Sequence, residues 1–257
     1  MTSLSELKFF TTPAHDCSYL DGKQAITLFA DPLVKIDKDL YSALSAAGFR
    51  RSGSHIYRPY CQACSACIPV RIPVTQFSDK RKHRRARKTN ETLTVSKHSP
   101  NLTEEYFALY DKYISERHSD GDMYPASRDQ FQSFLIDGRP EASFYEFRNS
   151  GQLLAVAVAD ELNDGLSAIY TFFDTDEQNR ALGVFAVLWL IGEAQARNLD
   201  FLYLGYWIKQ CQKMNYKMEY KPIELYVNNS WIGIDGWFAL VMSRGHNARR
   251  SNQPPEE

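Results

Sequence analysis

ASFYEFRNSGQLLAVAVADELNDGLSAIYTFFDTDEQNRALGVFAVLWLIGEAQARNLDFLYLGYWI, residues 142–208, is the stretch whose reading decides the fold. Three runs in it, ASFYEFR (142–148), LLAVAVADEL (153–162) and LSAIYTFFD (166–174), are rich in β-branched and aromatic residues and read as strands. The breaks between them are Ser150-Gly151 and Asn163-Asp164-Gly165. Residues of these types accept the positive φ that tight hairpin turns require, so the three strands are expected to run antiparallel. A long apolar stretch over residues 180–197 then predicts a helix, and FLYLGYWI (201–208) returns to strand character.

Working outward, residues 103–118 predict a helix with Tyr106, Leu109, Tyr110, Tyr113 and Ile114 on one face. A polar turn, HSDGDMYPAS (118–127), follows, and Ser127 is placed to cap a second helix, DQFQSFLI (129–136). On the other side, QCQKMNYKMEY (210–220) reads as a polar helix-turn leading into KPIELYVNNSWIGI (221–234). Two helices, an antiparallel run of strands, a central helix and a further strand is the element order of an N-acyltransferase (GNAT-like) domain. The first hundred residues read differently. A short helix over residues 38–47 closes at Gly48, HIYRPYC (55–61) and CIPVRIPVTQF (67–77) suggest short strands and bends, and KRKHRRARK (80–88) reads as an exposed helix or a mobile loop. The expected class is therefore α+β: a small cysteine-containing α+β unit over residues 1–100, a GNAT-like mixed-sheet domain over 101–250, and a tail, 251–257, too polar to order.

Composition narrows the function classes. The chain has 257 residues, 44% hydrophobic and 24% charged, which suits an ordered globular protein. No run of about 18 apolar residues exists, so no membrane span is expected. The opening MTSLSELKFF lacks the features of an export leader. Five cysteines, three of them within seven residues, suit a reducing compartment, and a cytoplasmic location is expected. A net charge of −1 hides a division: residues 1–100 hold 16 Lys/Arg against 8 Asp/Glu, and residues 101–257 hold 14 against 23. The front of the chain suits a polyanion and the back does not.

Four constellations carry candidate chemistry. Cys61, Cys64 and Cys67, spaced C-x2-C-x2-C, bring three thiols within reach of one metal ion or iron–sulfur cluster, with Cys17 a candidate fourth ligand. A buried, tightly turned loop using small thiols for packing accounts for the same spacing. Lys80, Arg81, Lys82, Arg84, Arg85, Arg87 and Lys88 cluster cations as phosphate neutralisation requires, and Arg180 adds to them at the start of the long helix. There, RALGVF (180–185) keeps one glycine and places Phe185 where a coenzyme A pyrophosphate needs a small residue. Finally, aromatics on successive strands, among them Tyr145, Tyr170, Phe172 and Tyr206, supply core and, through alternation, cleft-facing rings able to stack an adenine or cover an aminoacyl side chain.

GFRRSGSHIYRPYCQACSACIPVRIPV (48–74) resembles the N-terminal signature of the arginyl-transferase superfamily, and RHSDGDMY, YTFFDTD, LGYWI and KMNYKMEYKPIE resemble its C-terminal domain. These motifs together reach over most of residues 10–235, and their form is similar to the bacterial, leucyl-transferring branch. The resemblance implies transfer of leucine from leucyl-tRNA to the α-amine of proteins beginning with Asp or Glu, which creates an N-degron. It implies leucyl-tRNA and such proteins as partners, no DNA and no required cofactor. Arginyl transfer to the same acceptors and coenzyme A-dependent acetylation are the alternatives. Eukaryotic members carry paired cysteines near the N-terminus, whereas Cys17 stands alone.

Aminolysis of an activated ester needs no covalent enzyme nucleophile, and positioning carries most of the acceleration. The acceptor's carboxylate calls for a cation: Arg71 first, then Arg50, Arg51 and Arg58, with Tyr57 as a hydrogen-bond donor. His118 and Asp174 are the candidates for proton handling.

Overall fold

The computed structural model describes residues 4–239, so the expected tail at 251–257 lies outside the described residues. The elements run β1 (Phe9–Thr11), β2 (His15–Asp16), β3 (Gln24–Ala25), β4 (Thr27–Ala30), α1 (Lys38–Ala46), β5 (Arg50–Ser52), β6 (His55–Pro59), β7 (Ile68–Pro73), α2 (Arg81–Thr89) and β8 (Thr94–His98). There follow α3 (Glu104–Arg117), α4 (Arg128–Phe131), β9 (Ala142–Asn149), β10 (Gln152–Glu161), β11 (Gly165–Phe173), α5 (Leu182–Ala196), β12 (Phe201–Trp207), α6 (Gln212–Asn215), β13 (Glu224–Val227) and β14 (Ser230–Gly233). The class is α+β.

An eight-stranded sheet, in the order β14-β13-β7-β12-β11-β10-β9-β8, is the frame. Its neighbours pair antiparallel except β11 and β12, which run parallel. A four-stranded antiparallel sheet, β1-β4-β6-β5, lies beside it. The large sheet crosses the boundary expected near residue 100, because β7 and β8 come from the first hundred residues and pair with β12 and β9 from the rest. Strands from both sides of that boundary are thus joined in one sheet.

Both faces of the large sheet are covered, and so β10, QLLAVAVADE, is apolar along most of its length instead of alternating. On one face α5 packs Leu188, Ile191 and Ala194 against Ile72, Ala157 and Leu202, with α2 alongside. On the other face α3 and α4 bury Tyr110, Ile114 and Phe131 against Phe144, Val156 and Phe172. Next to them α1 and the small sheet bury Tyr41, Leu44 and Ile56 against Leu162 and Tyr203. Ser127 caps α4 through Gln130 N and Gly48, at φ +82°, turns the chain after α1, both as expected; Thr103, expected as the first helical residue, is instead the cap of α3 through Tyr106 N. Beyond Phe131 the turn widens to a π-turn over Gln132–Ile136.

Candidate active site

The site begins where the parallel pair comes apart. β11 and β12 are in register only over Gly165↔Phe201, Leu166↔Leu202 and Ser167↔Tyr203, although β11 runs on to Phe173 and β12 to Trp207. The β12–β7 ladder shifts register between Tyr203 and Gly205, and Gly205 sits at φ +75°, a conformation that disfavours a side chain. Two backbone carbonyls at this split are taken by cationic side chains instead of a neighbouring strand. Arg50, from β5, donates Nη2 to Ala168 O at 2.6 Å. Lys217, in the turn Tyr216–Glu219 after α6, donates Nζ to Tyr206 O. A Cβ on Gly205 would stand 2.8 Å from Arg50 Cζ, so the missing side chain makes room for the guanidinium. Arg50 Nη1 is buried and has no hydrogen-bond partner among the described residues.

Around these cations the lining is aromatic and thiol-bearing. Tyr206 Oη lies 3.2 Å from both Gly48 O and Tyr57 O, and the Tyr57 and Tyr206 rings stand 6.2 Å apart. Burial pushes the phenols of Tyr19, Tyr57 and Tyr206 above their ordinary pKa. Burial, reinforced by the neighbouring thiols, raises Cys67 to about 12 and keeps it protonated. Burial first and Arg50 second lower the ammonium of Lys217 to about 7. Beside this wedge a cleft of about 210 Å³ is lined by Gly48, Arg58, Cys67, Pro69, Tyr206 and Asn228, among others. A larger depression of about 380 Å³ next to Ser99 and Arg139 offers less chemistry, because Arg139 is held by Glu141 and by Ile36 O. The chemically equipped site is therefore the smaller one.

The candidate residues fall into several places. Arg50, Tyr57 and Tyr206 converge on the wedge, and Arg58 lines the adjoining cleft with its guanidinium 4.9 Å from the Phe49 ring. Arg51 points the other way: it bonds Asp160 at 2.5 and 2.8 Å, and both side chains are 0% exposed. Its charge is spent inside the protein. Arg71 is likewise engaged, with Nε 2.8 Å from Glu224 and its guanidinium 3.5 Å from the Phe201 ring and 4.4 Å from the Trp231 ring. Asp174 is paired with Lys112 at 2.6 Å, and His118 sits 3.3 Å from Tyr113 Oη, its pKa lowered by burial and then by Lys213. Tyr145 and Phe172 are core, Tyr145 packing on Trp189 and Phe172 beneath Tyr110. Tyr170 differs from them, because its buried hydroxyl has no partner among the described residues.

The basic segment is an ordered helix, α2, whose charges divide by face. His83 and Ala86 are buried; Arg84 and Arg87 bond Asp79, and Lys80 and Lys82 engage Glu219. Arg81, Arg85 and Lys88, at i, i+4 and i+7, are exposed in one row. Arg180 is tied down by Glu177 and Thr89 O. All five cysteines are free thiols, and among the described residues no three His, Cys, Asp or Glu side chains are arranged to hold one metal ion. Likewise no helix among the described residues is long and apolar enough to cross a membrane.

Lys217 is absent from the sequence expectations. Lys213, Lys217 and Lys221 recur every fourth residue in a polar segment; Lys213 reaches out to Asp120, whereas Lys217 turns inward. The hints in the sequence are its place in the motif KMNYKMEYKPIE and the aromatic density of NYKMEY.

Comparison with known proteins bears on the whole chain. The family model described as arginine-tRNA-protein transferase, N terminus, matches residues 15–85, and that for the C terminus matches residues 105–227. Aspartate/glutamate leucyltransferase of Pseudomonas fluorescens SBW25 is 56% identical over 91% of this chain and 100% of its own length. The protein of the same description from Pseudomonas aeruginosa UCBPP-PA14 is 55% identical over 91% and 100%. Among solved structures, L-PGS from Bacillus licheniformis matches at a TM-score of 0.43 and 12% identity, over 79% of this chain and 69% of that one.

Proposed function

The chain belongs to the arginine-tRNA-protein transferase family, and we propose that it moves leucine from leucyl-tRNA to the N-terminal α-amine of proteins beginning with Asp or Glu, in the cytoplasm. The relatives at 55–57% identity bear the name of that activity over nearly their full lengths. The single structural observation that supports it is Arg50: a guanidinium at a strand split, with one buried N–H free and no carboxylate paired to it among the described residues. A guanidinium with a buried N–H left unpaired carries a cost that an anionic ligand completing the site would remove. The acidic side chain of the acceptor is such an anion, and a guanidinium grips a carboxylate through paired N–H donors. Arg51 and Arg71 already hold protein carboxylates, so the acceptor role passes in this reading to Arg50, with Arg58 and the phenol of Tyr57 at the entrance.

The chemistry is ester aminolysis. The acceptor's α-amine forms a bond to the leucyl carbonyl carbon, and the bond to the ribose oxygen of the tRNA breaks. The aromatic lining excludes water, which would otherwise hydrolyse the same ester. Arg81, Arg85 and Lys88 form the outward row that meets the tRNA phosphates, while the inward cations of α2 hold the helix on α5 and Glu219. No step of this scheme passes through a metal or coenzyme.

The test is a grid of purified chain with leucyl-tRNA, arginyl-tRNA or acetyl-coenzyme A against peptides beginning with Asp, Glu, Lys or Arg. Leucine should appear on the Asp and Glu peptides alone. Label on those peptides from arginyl-tRNA or acetyl-coenzyme A instead would replace this reading with one of the two alternatives.

A further inference from the structure

Lys217 is among the most deeply buried charged groups of the described residues, at 5% exposure, and no carboxylate among those residues pairs with it. Its Nζ meets the carbonyl oxygen of Tyr206 and, at 3.2 Å, the sulfur of Met214; the Tyr216 ring centroid lies 5.9 Å away. Besides the Tyr216 phenol, the titratable groups that act on it electrostatically are Arg50 from β5, Cys67 from the loop before β7 and Cys211 from the loop before α6. Among the described residues its field thus comes from a second cation and two thiols, and from no carboxylate. Held in that way, the amine satisfies the Tyr206 carbonyl, but a buried ammonium without a counter-ion costs free energy. Such a residue needs another reason to be there.

Position supplies the reason. In an N-terminal Asp or Glu the side-chain carboxylate is only two or three carbons from the α-amine. Whichever group reads the carboxylate must therefore have, as its neighbour, the group that handles the amine. Arg50 and Lys217 are the two cationic side chains at the β11–β12 split, bonded to carbonyls on its two strands and within electrostatic reach of each other. We propose that Lys217 is the general base of the transfer, taking a proton from the acceptor's α-ammonium while Arg50 holds the acceptor's carboxylate. This rests on the activity argued above. The balance is simple. The unprotonated amine of Lys217 accepts one proton from the incoming ammonium; the lone pair so freed forms the N–C bond to the leucyl carbonyl; the C–O bond to ribose breaks with its electron pair on oxygen. That oxygen takes the second proton, from the nitrogen of the adduct, and Lys217 releases the first to solvent. An α-ammonium has a pKa of about 8, and a base within about one unit of it accepts the proton at little cost. Lys217, lowered to about 7 by burial and by Arg50, meets that condition.

The experiment is single-turnover transfer from leucyl-tRNA to saturating Asp-starting peptide over pH 6–9, with the full chain, Lys217→Met and Lys217→Arg. The Arg variant keeps the cation and a donor to Tyr206 O but cannot serve as a base. Leucyl-tRNA affinity and thermal unfolding of each protein check the fold. Expected for the unaltered chain is a rate that rises through about pH 7 and then levels, whatever the basicity of the peptide's amine. Both variants should be slower by about 10²-fold or more, with leucyl-tRNA affinity within threefold. Were the variants not to fold, the unaltered chain would still decide: a rising limb that tracks the amine pKa of two peptides about one unit apart overturns the lysine's role. So does either variant that keeps the parent rate and pH profile. No transfer by the unaltered chain overturns the functional reading and the lysine's role together; transfer with an unaffected Lys217 variant overturns only the latter.

Discussion

Arg50 and Arg51 are consecutive residues of one short strand, yet the fold uses them in opposite ways. Strand alternation sends them to opposite faces. Arg51 enters the interior between the small sheet and α4, where Asp160 takes two of its N–H groups, Phe134 O takes another at 3.1 Å, and Tyr41 Oη adds a 2.6 Å bond to the same carboxylate. Every strong group there is answered. Arg50 enters the split between β11 and β12, where one N–H finds Ala168 O and another finds nothing. The difference teaches how to tell a structural arginine from one kept for a ligand: count the protein's own anions around it. Lys217 passes the same test as Arg50, and Arg71, beside Glu224, does not.

The contrast can be broken by mutation. The largest effect is expected for Arg51→Ala, which strands Asp160 in the interior; loss of one partner of a buried pair costs about 3–5 kcal/mol. Urea unfolding should show it, and a midpoint close to the parent's would mean that Arg51 is not structural after all. Next comes Arg50→Met, which should lower kcat/KM for Asp peptides by about 10²-fold, as truncating a ligand-pairing buried charge costs about 2–5 kcal/mol. Its unfolding midpoint should stay near the parent's, the reverse of Arg51→Ala. A stable, fully active Arg50→Met protein would erase the distinction between the two arginines.

Smaller effects sharpen the picture. Replacing Arg81, Arg85 and Lys88 together by Ala should weaken leucyl-tRNA binding and flatten the slope of log affinity against log salt by about 2, each phosphate contact contributing about 0.7–0.9. Replacing Lys82, whose charge meets Glu219, should leave that slope nearly unchanged. The smallest is a pH effect on stability. Lys217 loses its proton near pH 7 in the folded chain but, when unfolded, holds it to about 10.4. Across that window the unfolded state binds more protons, so stability should rise with pH, by at most about 1.4 kcal/mol per unit. The unfolding free energy of the parent should therefore rise relative to that of Lys217→Met from pH 7 to pH 9. A constant difference would show that Lys217 keeps its proton.

Much of the frame was legible because its signals are local. The hairpin runs 142–148, 153–162 and 166–174 became β9, β10 and β11 with ends shifted by a few residues at most, and the cap at Ser127 holds its helix. Whether KRKHRRARK was a helix or a mobile loop was open in the sequence; helix propensity allowed α2, but contacts of His83 and Ala86 beneath it and Asp79 and Glu219 around it fix it. The cleft aromatics were separable only in part. Alternation says that one ring of each pair faces each side, but both faces of this sheet are buried, so facing inward did not distinguish core from cleft for Tyr145 and Phe172.

The sequence by itself determined the α+β class, the order of the elements, the family and the division of charge along the chain, because propensity, turn chemistry and long motifs are written in neighbouring residues. Tertiary structure alone decided which cations are free to meet a ligand. Partners of Arg50, Arg51, Arg71 and Lys217 come from strands and turns that are mostly a hundred or more residues away, and a charge's availability depends on the anions and desolvation around it rather than on its neighbours in the chain.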